Sequence, residues 1–161
     1  MAKVILICGK ICSGKTTYAE ELKEKEGAVV LSSDELMLSF FDPLLGDRHD
    51  ELAKRANDYL LRLALKLIEA GVSVILDWGF WTKVGREETG RFFSQHDVET
   101  EWHYVRISDE AWRRNIAKRN REVEEGTTQA YYVDEGLLKK LESRFEAPEA
   151  EEINVEFAAE R

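Results

Sequence analysis

Cysteine is scarce in this sequence: Cys8 and Cys12 are the only two in 161 residues. Two thiols are too few for the disulfide framework of a small secreted domain, and free thiols fit a reducing cytosol. Long apolar runs are missing as well. No stretch approaches the ~20 residues that cross a bilayer, so no membrane segment and no membrane partner is expected. The N-terminus enters "KVILIC" directly, without a cleavage pattern, which predicts no signal peptide. Proline occurs twice, and no repeat, low-complexity tract or linker divides the chain. Positive charge is the minority sign: 23 Lys and Arg stand against 32 Asp and Glu, a formal net charge of −9. Long duplexes ask for a basic face, so the balance weighs against extended nucleic-acid binding. It leaves room for a local basic cleft.

What is present is globular. Apolar residues make up 43% and charged residues 34% of the chain. The length suits one domain over residues 1–161, within the usual span of ~100–200, and is enough to bury a sizeable core. "KVILIC" (3–8) reads as a buried parallel strand. From Lys15 to about Lys25 the pattern is helical, and Gly27 stops it. "AVVL" (28–31), "VSVILD" (72–77) and "EWHYVRI" (101–107) read as further strands, and "INVEF" (153–157) as a fifth. "HDELAKRANDYLLRLALKLIEAG" is a long helix with Asp50 as a possible cap and Gly71 at its end. "KVGREETGRFFSQH" is helical but weakened by Gly85 and Gly90. Residues 109–122 and 134–145 are helical too. This alternation predicts a parallel sheet of about five strands with helices on both faces.

Between the first strand and the first helix lies "GKICSGKT". Gly9, Gly14, Lys15 and Thr16 satisfy G-x-x-x-x-G-K-[ST], the P-loop, in its required strand–loop–helix context. Glycines let the backbone curl until its N–H groups point at phosphate oxygens, and the helix N-terminus adds partial positive charge. Lys15 can reach the β- and γ-phosphates, and the Thr16 hydroxyl can hold Mg²⁺. The nucleotide-binding residues are therefore Gly9, Lys10, Ile11, Cys12, Ser13, Gly14, Lys15, Thr16 and Thr17. Both cysteines read as packing residues.

Three more features point at the same edge. Asp34 ends the second strand, where ligands of doubly wound sheets sit. It suits a general base for a substrate hydroxyl, while Ser32, Ser33 or Asp34 could equally cap the next helix. Asp77 ends the third strand and fits a metal-orienting acid that works with Thr16 on Mg²⁺. Trp78, Phe80 and Trp81 follow it, as pocket walls or as core. In "DEAWRRNIAKRNREVEEG", Arg113, Arg114, Lys118, Arg119 and Arg121 crowd one helix. Such residues can stabilise charge in phosphoryl transfer or form a solvated basic face. The loop "EEGTTQAYY" after them suits a hinged lid over about 112–133.

Taken together, the P-loop, "SSDEL", "LDWGF", the "KRN" lid and the tail "YYVDEGLLKKLESRFEAPEAEE" resemble the P-loop kinase-like family. That family includes polynucleotide 5′-kinases, zeta toxins and chloramphenicol phosphotransferase. The resemblance implies a P-loop NTPase fold with a small helical lid, ATP and Mg²⁺ as ligands, and transfer of phosphate to a hydroxyl. It implies Asp34 as base, a metal-side or substrate-side role for Asp77, and Arg119 as the lid arginine, with Arg114 and Arg121 as neighbours that could share the task. Polynucleotide kinases of the group tend to carry D-x-x-R, whose arginine holds a substrate phosphate. Here the frame is Asp34-Glu35-Leu36-Met37. The departure favours a small-molecule acceptor over a nucleic-acid 5′-hydroxyl, with Arg48 or Arg55 as possible substitutes. A nucleotide-binding regulatory module, or an ATPase without an acceptor, is the alternative of a different class.

Overall fold

A computed structural model describes residues 1–43, 45–128 and 130–159. The run Val4–Cys8 forms strand β1, and all five of its side chains are buried. A strand with no polar alternation must be covered on both faces, and it is. Val4, Leu6 and Cys8 join one apolar layer with Leu60, Ala64 and Phe93. Ile5 and Ile7 point the other way, to Ala19 and Leu22.

Around β1 the sheet is completed by β2 (Val29–Ser32), β3 (Val74–Gly79), β4 (Thr100–Arg106) and β5 (Val155–Ala158). The order is β2-β3-β1-β4-β5, and every pairing is parallel. Helix α1 (Lys15–Glu26) covers one face; α3 (His49–Glu69) and α4 (Lys83–Gln95) cover the other. Helix α2 (Ser33–Phe40) follows β2, and α5 (Asp109–Glu124) and α6 (Glu135–Arg144) lie between β4 and β5. A third cluster, with Cys12, Trp112, Ile116, Val133 and Leu141, packs α5 and α6 against the loop after β1. The chain leaves β1 toward β2 on one side and reaches β4 on the other. The carboxyl ends around β1 therefore form a topological switch point, where doubly wound sheets open a crevice. Among the described residues no helix is long and apolar enough to cross a membrane.

The strands sit within two residues of their expected positions, and β3 runs two residues further, to Gly79. Gly27 does stop α1: it is left-handed at φ 61° and its N–H donates to Lys23 O. Asp50 is not a cap. A 3-10 turn over Gly46–Arg48 runs into α3, so the first helical N–H, that of His49, already finds Gly46 O. The Asp50 carboxylate instead pairs with Arg144 of α6 at 3.6 Å. Of the aromatic cluster, Trp78 and Phe80 belong to the core layer. Trp81 packs against the Cys12–Trp112 cluster.

One buried charge ties three segments together. Arg86 is 5% exposed. Its Nε donates to Glu152 at 3.0 Å, and its Nη1 donates to the carbonyls of Phe80 and Glu146, both at 2.9 Å. Removing one partner of a buried pair strands the other, at a cost of about 3–5 kcal/mol. Arg86→Leu should therefore lower Tm by roughly 10 °C, at about 2–4 °C per kcal/mol for a chain of this size. A thermal melt checks it, and an unchanged Tm would show the tether to be dispensable.

Candidate active site

The chain between β1 and α1 is shaped by what cannot fit. A Cβ on Gly9 would come within 2.9 Å of both Ser13 Oγ and Val105 O. Only glycine lets the backbone pass there. Gly9 N donates to Gly79 O at 3.0 Å, which fastens the start of the loop to the end of β3. Two loop residues are left-handed: Gly14 at φ 94° and Cys12 at φ 57°. Gly14 precedes α1, and no side chain caps that helix. The first-turn N–H groups of α1 thus face the loop without a side-chain acceptor, an arrangement suited to an anion.

Lys15 leans back into this loop. Its Nζ donates to Lys10 O at 2.6 Å. Burial pushes the ammonium below its usual range, and the charges of Asp77 and Asp34 oppose that shift. Thr16 Oγ1 donates to Asp77 Oδ2 at 3.2 Å. Asp77 is 6% exposed. Burial pushes its carboxyl upward, opposed by Lys15 and by the Thr16 hydrogen bond. The Thr16 hydroxyl and the Asp77 carboxylate thus give two hard oxygen donors side by side. That set fits Mg²⁺, which takes one or two protein oxygens and fills its octahedron with phosphate and water. Thr17 is exposed in the first turn of α1.

Of the three capping candidates, Ser32 does the work: its Oγ accepts from Glu35 N at 3.2 Å. Asp34 is left exposed in the first turn of α2. Its charge bears on Lys15, Asp77 and Cys12, and on the phenol of Tyr131. Tyr131 in turn meets His49 edge-on at 5.3 Å. Asp34 is therefore within electrostatic range of both the phosphate loop and Tyr131.

Helix α5 sorts its cations by face. Arg119 is partly buried, and its charge reaches Cys12 and Asp77. Arg114, expected to share its task, stands apart: it is exposed and held by Glu110 at 3.2 Å. The two are five residues apart, so one turn of helix cannot bring both to the loop. Arg113 pairs with Glu142 at 3.0 Å and Lys118 approaches Glu122 at 4.0 Å, while Arg121 is exposed. The first half of the expected lid span is not free of the body, because Trp112 and Ile116 are core. Gln129, within that span, lies outside the described residues.

Two contacts from α5 were not visible in the sequence. Trp112 Nε1 donates to Ile11 O at 2.6 Å, and Asn115 Nδ2 donates to Cys12 O at 2.9 Å. The faint signal was the spacing of Asn115 and Arg119, four apart and hence on one helix face. Further along, Asn120 takes both backbone groups of Val133, at 2.7 and 2.8 Å. A cavity of about 480 Å³ between β4, α5 and α6 is lined by Lys10, Tyr104, Asp109, Trp112, Glu142 and Phe145, among others. It borders the phosphate loop through Lys10 alone and contains none of Lys15, Thr16, Asp34, Asp77 or Arg119.

A family model described as an AAA domain matches residues 4–148. No curated protein matches the chain. Among solved structures, APS kinase of Mycobacterium tuberculosis, in complex with AMPPNP and APS, is similar at 16% identity and a TM-score of 0.70. The match covers 99% of this chain and 90% of that one. Kti12 of Chaetomium thermophilum, in complex with ADP-AlF3, is similar at 19% identity and a TM-score of 0.70, covering 96% and 87%. A chain of the Pnkp1/Rnl/Hen1 RNA repair complex is similar at 16% identity and a TM-score of 0.71, covering 89% and 43%. At these identities the likeness is one of fold. Lys15→Ala tests the phosphate site directly. Each charge-assisted phosphate contact is worth about 1.5–3 kcal/mol, so affinity for Mg-ATP should fall by roughly 10- to 150-fold. Calorimetric titration measures it, and equal affinity in both proteins would remove the loop from nucleotide binding.

Proposed function

Because the chain belongs to the P-loop kinase-like family that the AAA domain model describes, we propose that it transfers the γ-phosphoryl group of ATP to a hydroxyl of a small molecule. The observation that carries this reading is the convergence of charge on one loop. Lys15, Asp77, Asp34 and Arg119 come from α1, β3, α2 and α5, and all act on the same few residues.

In this reading residues 9–16 hold the phosphates through backbone N–H groups, with Lys15 as the fixed cation. Thr16 and Asp77 would hold Mg²⁺, which when bound would offset phosphate charge. Asp34 has no cap to make and is exposed to solvent. Its carboxylate accepts the proton of the acceptor hydroxyl as that oxygen attacks the γ-phosphorus. A phosphorus–oxygen bond forms to the acceptor, the bond to the β-phosphate oxygen breaks, and ADP leaves with that electron pair. The proton passes from Asp34 to solvent. Arg119 lies on the inner face of α5, where its guanidinium can meet charge on the transferring oxygens.

The acceptor lies beside Asp34, against His49 and Tyr131. The nearby segment carries Asp42, Asp47, Asp50 and Glu51 against a single Arg48. That local charge suits a small neutral or cationic acceptor better than a polyanion.

Three measurements test the reading. A panel of sugars, nucleosides, amino alcohols and a 5′-hydroxyl oligonucleotide is screened for acceptor-dependent conversion of ATP to ADP. With an active acceptor in hand, Asp34→Asn should keep ATP affinity and abolish acceptor-dependent turnover. Turnover that survives this change rules out Asp34 as base. Arg119→Ala should lower kcat at least about a hundredfold with little change in KM for ATP, the mark of a contact made in the transition state. A loss confined to KM would make Arg119 a ground-state binder.

A further inference from the structure

Cys12 is in a conformation that its own side chain does nothing to support. It is left-handed at φ 57°, where a Cβ crowds the backbone. Glycine, asparagine and aspartate tolerate that region best, and cysteine is not among them. Some other group must hold the turn.

The holding group is on α5. Asn115 Nδ2 donates to Cys12 O at 2.9 Å, and one turn earlier Trp112 Nε1 donates to Ile11 O at 2.6 Å. Trp112 is 2% exposed and packs with Cys12 and Ile116, so this helix face is fixed against the loop. The consequence follows from peptide planarity. A carbonyl and the N–H of the next residue point in opposite directions. Drawing the Ile11 and Cys12 carbonyls out toward α5 turns the N–H groups of Cys12 and Ser13 into the loop. Ser13 N donates within the loop, to Lys10 O at 3.2 Å, the same oxygen that accepts Lys15 Nζ at 2.6 Å.

We propose that Asn115 is a positioning residue of the phosphate loop. By holding the Cys12 carbonyl, it fixes the left-handed turn that aims the loop's N–H donors at a bound phosphate. The inference rests on reading this loop as the nucleotide site. It also gives α5 two functions on one face. Its first turns set the loop's donors, and Arg119, four residues beyond Asn115, brings charge to the same loop. An asparagine suits the task because it donates without adding charge beside Lys15.

The test is a double-mutant cycle on Mg-ATP affinity, using wild type, Asn115→Leu, Cys12→Gly and the double variant. Leucine keeps the branched heavy-atom outline of asparagine and removes the donor. In the wild-type background Asn115→Leu should weaken binding about tenfold, the worth of one buried hydrogen bond. Glycine reaches positive φ without strain. Whatever Cys12→Gly does alone, adding Asn115→Leu to it should therefore cost at most about threefold, a coupling that distant sites do not show. The same loss in both backgrounds would reduce Asn115 to a helix-docking group, and no loss in either would remove it altogether.

A second readout needs no nucleotide. Cys12 is 8% exposed and Cys8 fully buried. Release of the turn should speed iodoacetamide alkylation of Cys12 at least about tenfold, because reaction follows exposure of the thiol, while Cys8 stays protected. An unchanged rate overturns the proposal. Asn115→Ala, which adds no apolar bulk, is run alongside in case the leucine variant fails to fold. A wild type without ATP affinity would sink the nucleotide reading, and the alkylation rates would still decide whether Asn115 holds the loop.

Discussion

The site depends on a break in register between β1 and β3. Up to Ile7 the two strands pair residue for residue, with Ile7 opposite Asp77. Cys8 then faces Gly79, and Trp78 has no opposite number. That extra residue does two things. It leaves Asp77 at the level of the loop, within reach of Thr16. It also carries Gly79 forward, so that its carbonyl takes the Gly9 N–H and anchors the first residue of the loop. Bulges are common where a strand must re-aim a side chain beside a site. Here the local backbone is strained as well at Phe80, left-handed at φ 49°, while Gly79 takes φ 85° freely. The surroundings hold that strain, because the Phe80 carbonyl is taken by buried Arg86, and the Trp81 indole fills the space that a Cβ on Gly79 would need.

How much of this was readable from the sequence follows from how local each feature is. β1, the loop and α1 are contiguous, and the loop's chemistry demands glycine and lysine at fixed spacing. That stretch and the alternation around it were enough for the parallel sheet and its helix layers. Asp77 was legible because it ends an apolar run. The helix cap was not, since Ser32, Ser33 and Asp34 are adjacent and each has the chemistry; only the backbone geometry selects Ser32. Asp50 looked like a cap because the 3-10 turn before α3 leaves no signature in "LGDRHD". The grip of Trp112 and Asn115 on the loop joins positions 101 and 103 residues apart. Its acceptors are backbone carbonyls, which every residue has. No periodicity or motif marks such a contact.

The formal charge of −9 conceals a local inversion. Acidic groups dominate the exposed surface, whereas Lys15 and Arg119 are drawn partly out of water around one loop. Each is opposed by a carboxylate: Asp77 sits beside Lys15 and within the field of Arg119. Burial pushes the lysine and the aspartate toward neutrality, and each opposes that shift in the other. A bound anion with its cation fits such a balanced pair, because the two charges offset one another beside partly buried groups.

The double hydrogen bond from Asn120 to Val133 gives the end of α5 the character of a clasp. A side-chain amide there bonds one residue's N–H and C=O, as a neighbouring strand would. The chain between these two residues begins and ends at one point, so its length is uncoupled from the sheet and from the phosphate loop. Closing a longer loop costs only about 0.6 kcal/mol per doubling. Residues can therefore be gained or lost there, next to Tyr131 and Asp34, without disturbing the machinery that handles phosphate. On the proposed reading, the stretch inside this clasp is where the acceptor pocket can change size while the phosphate loop stays as it is.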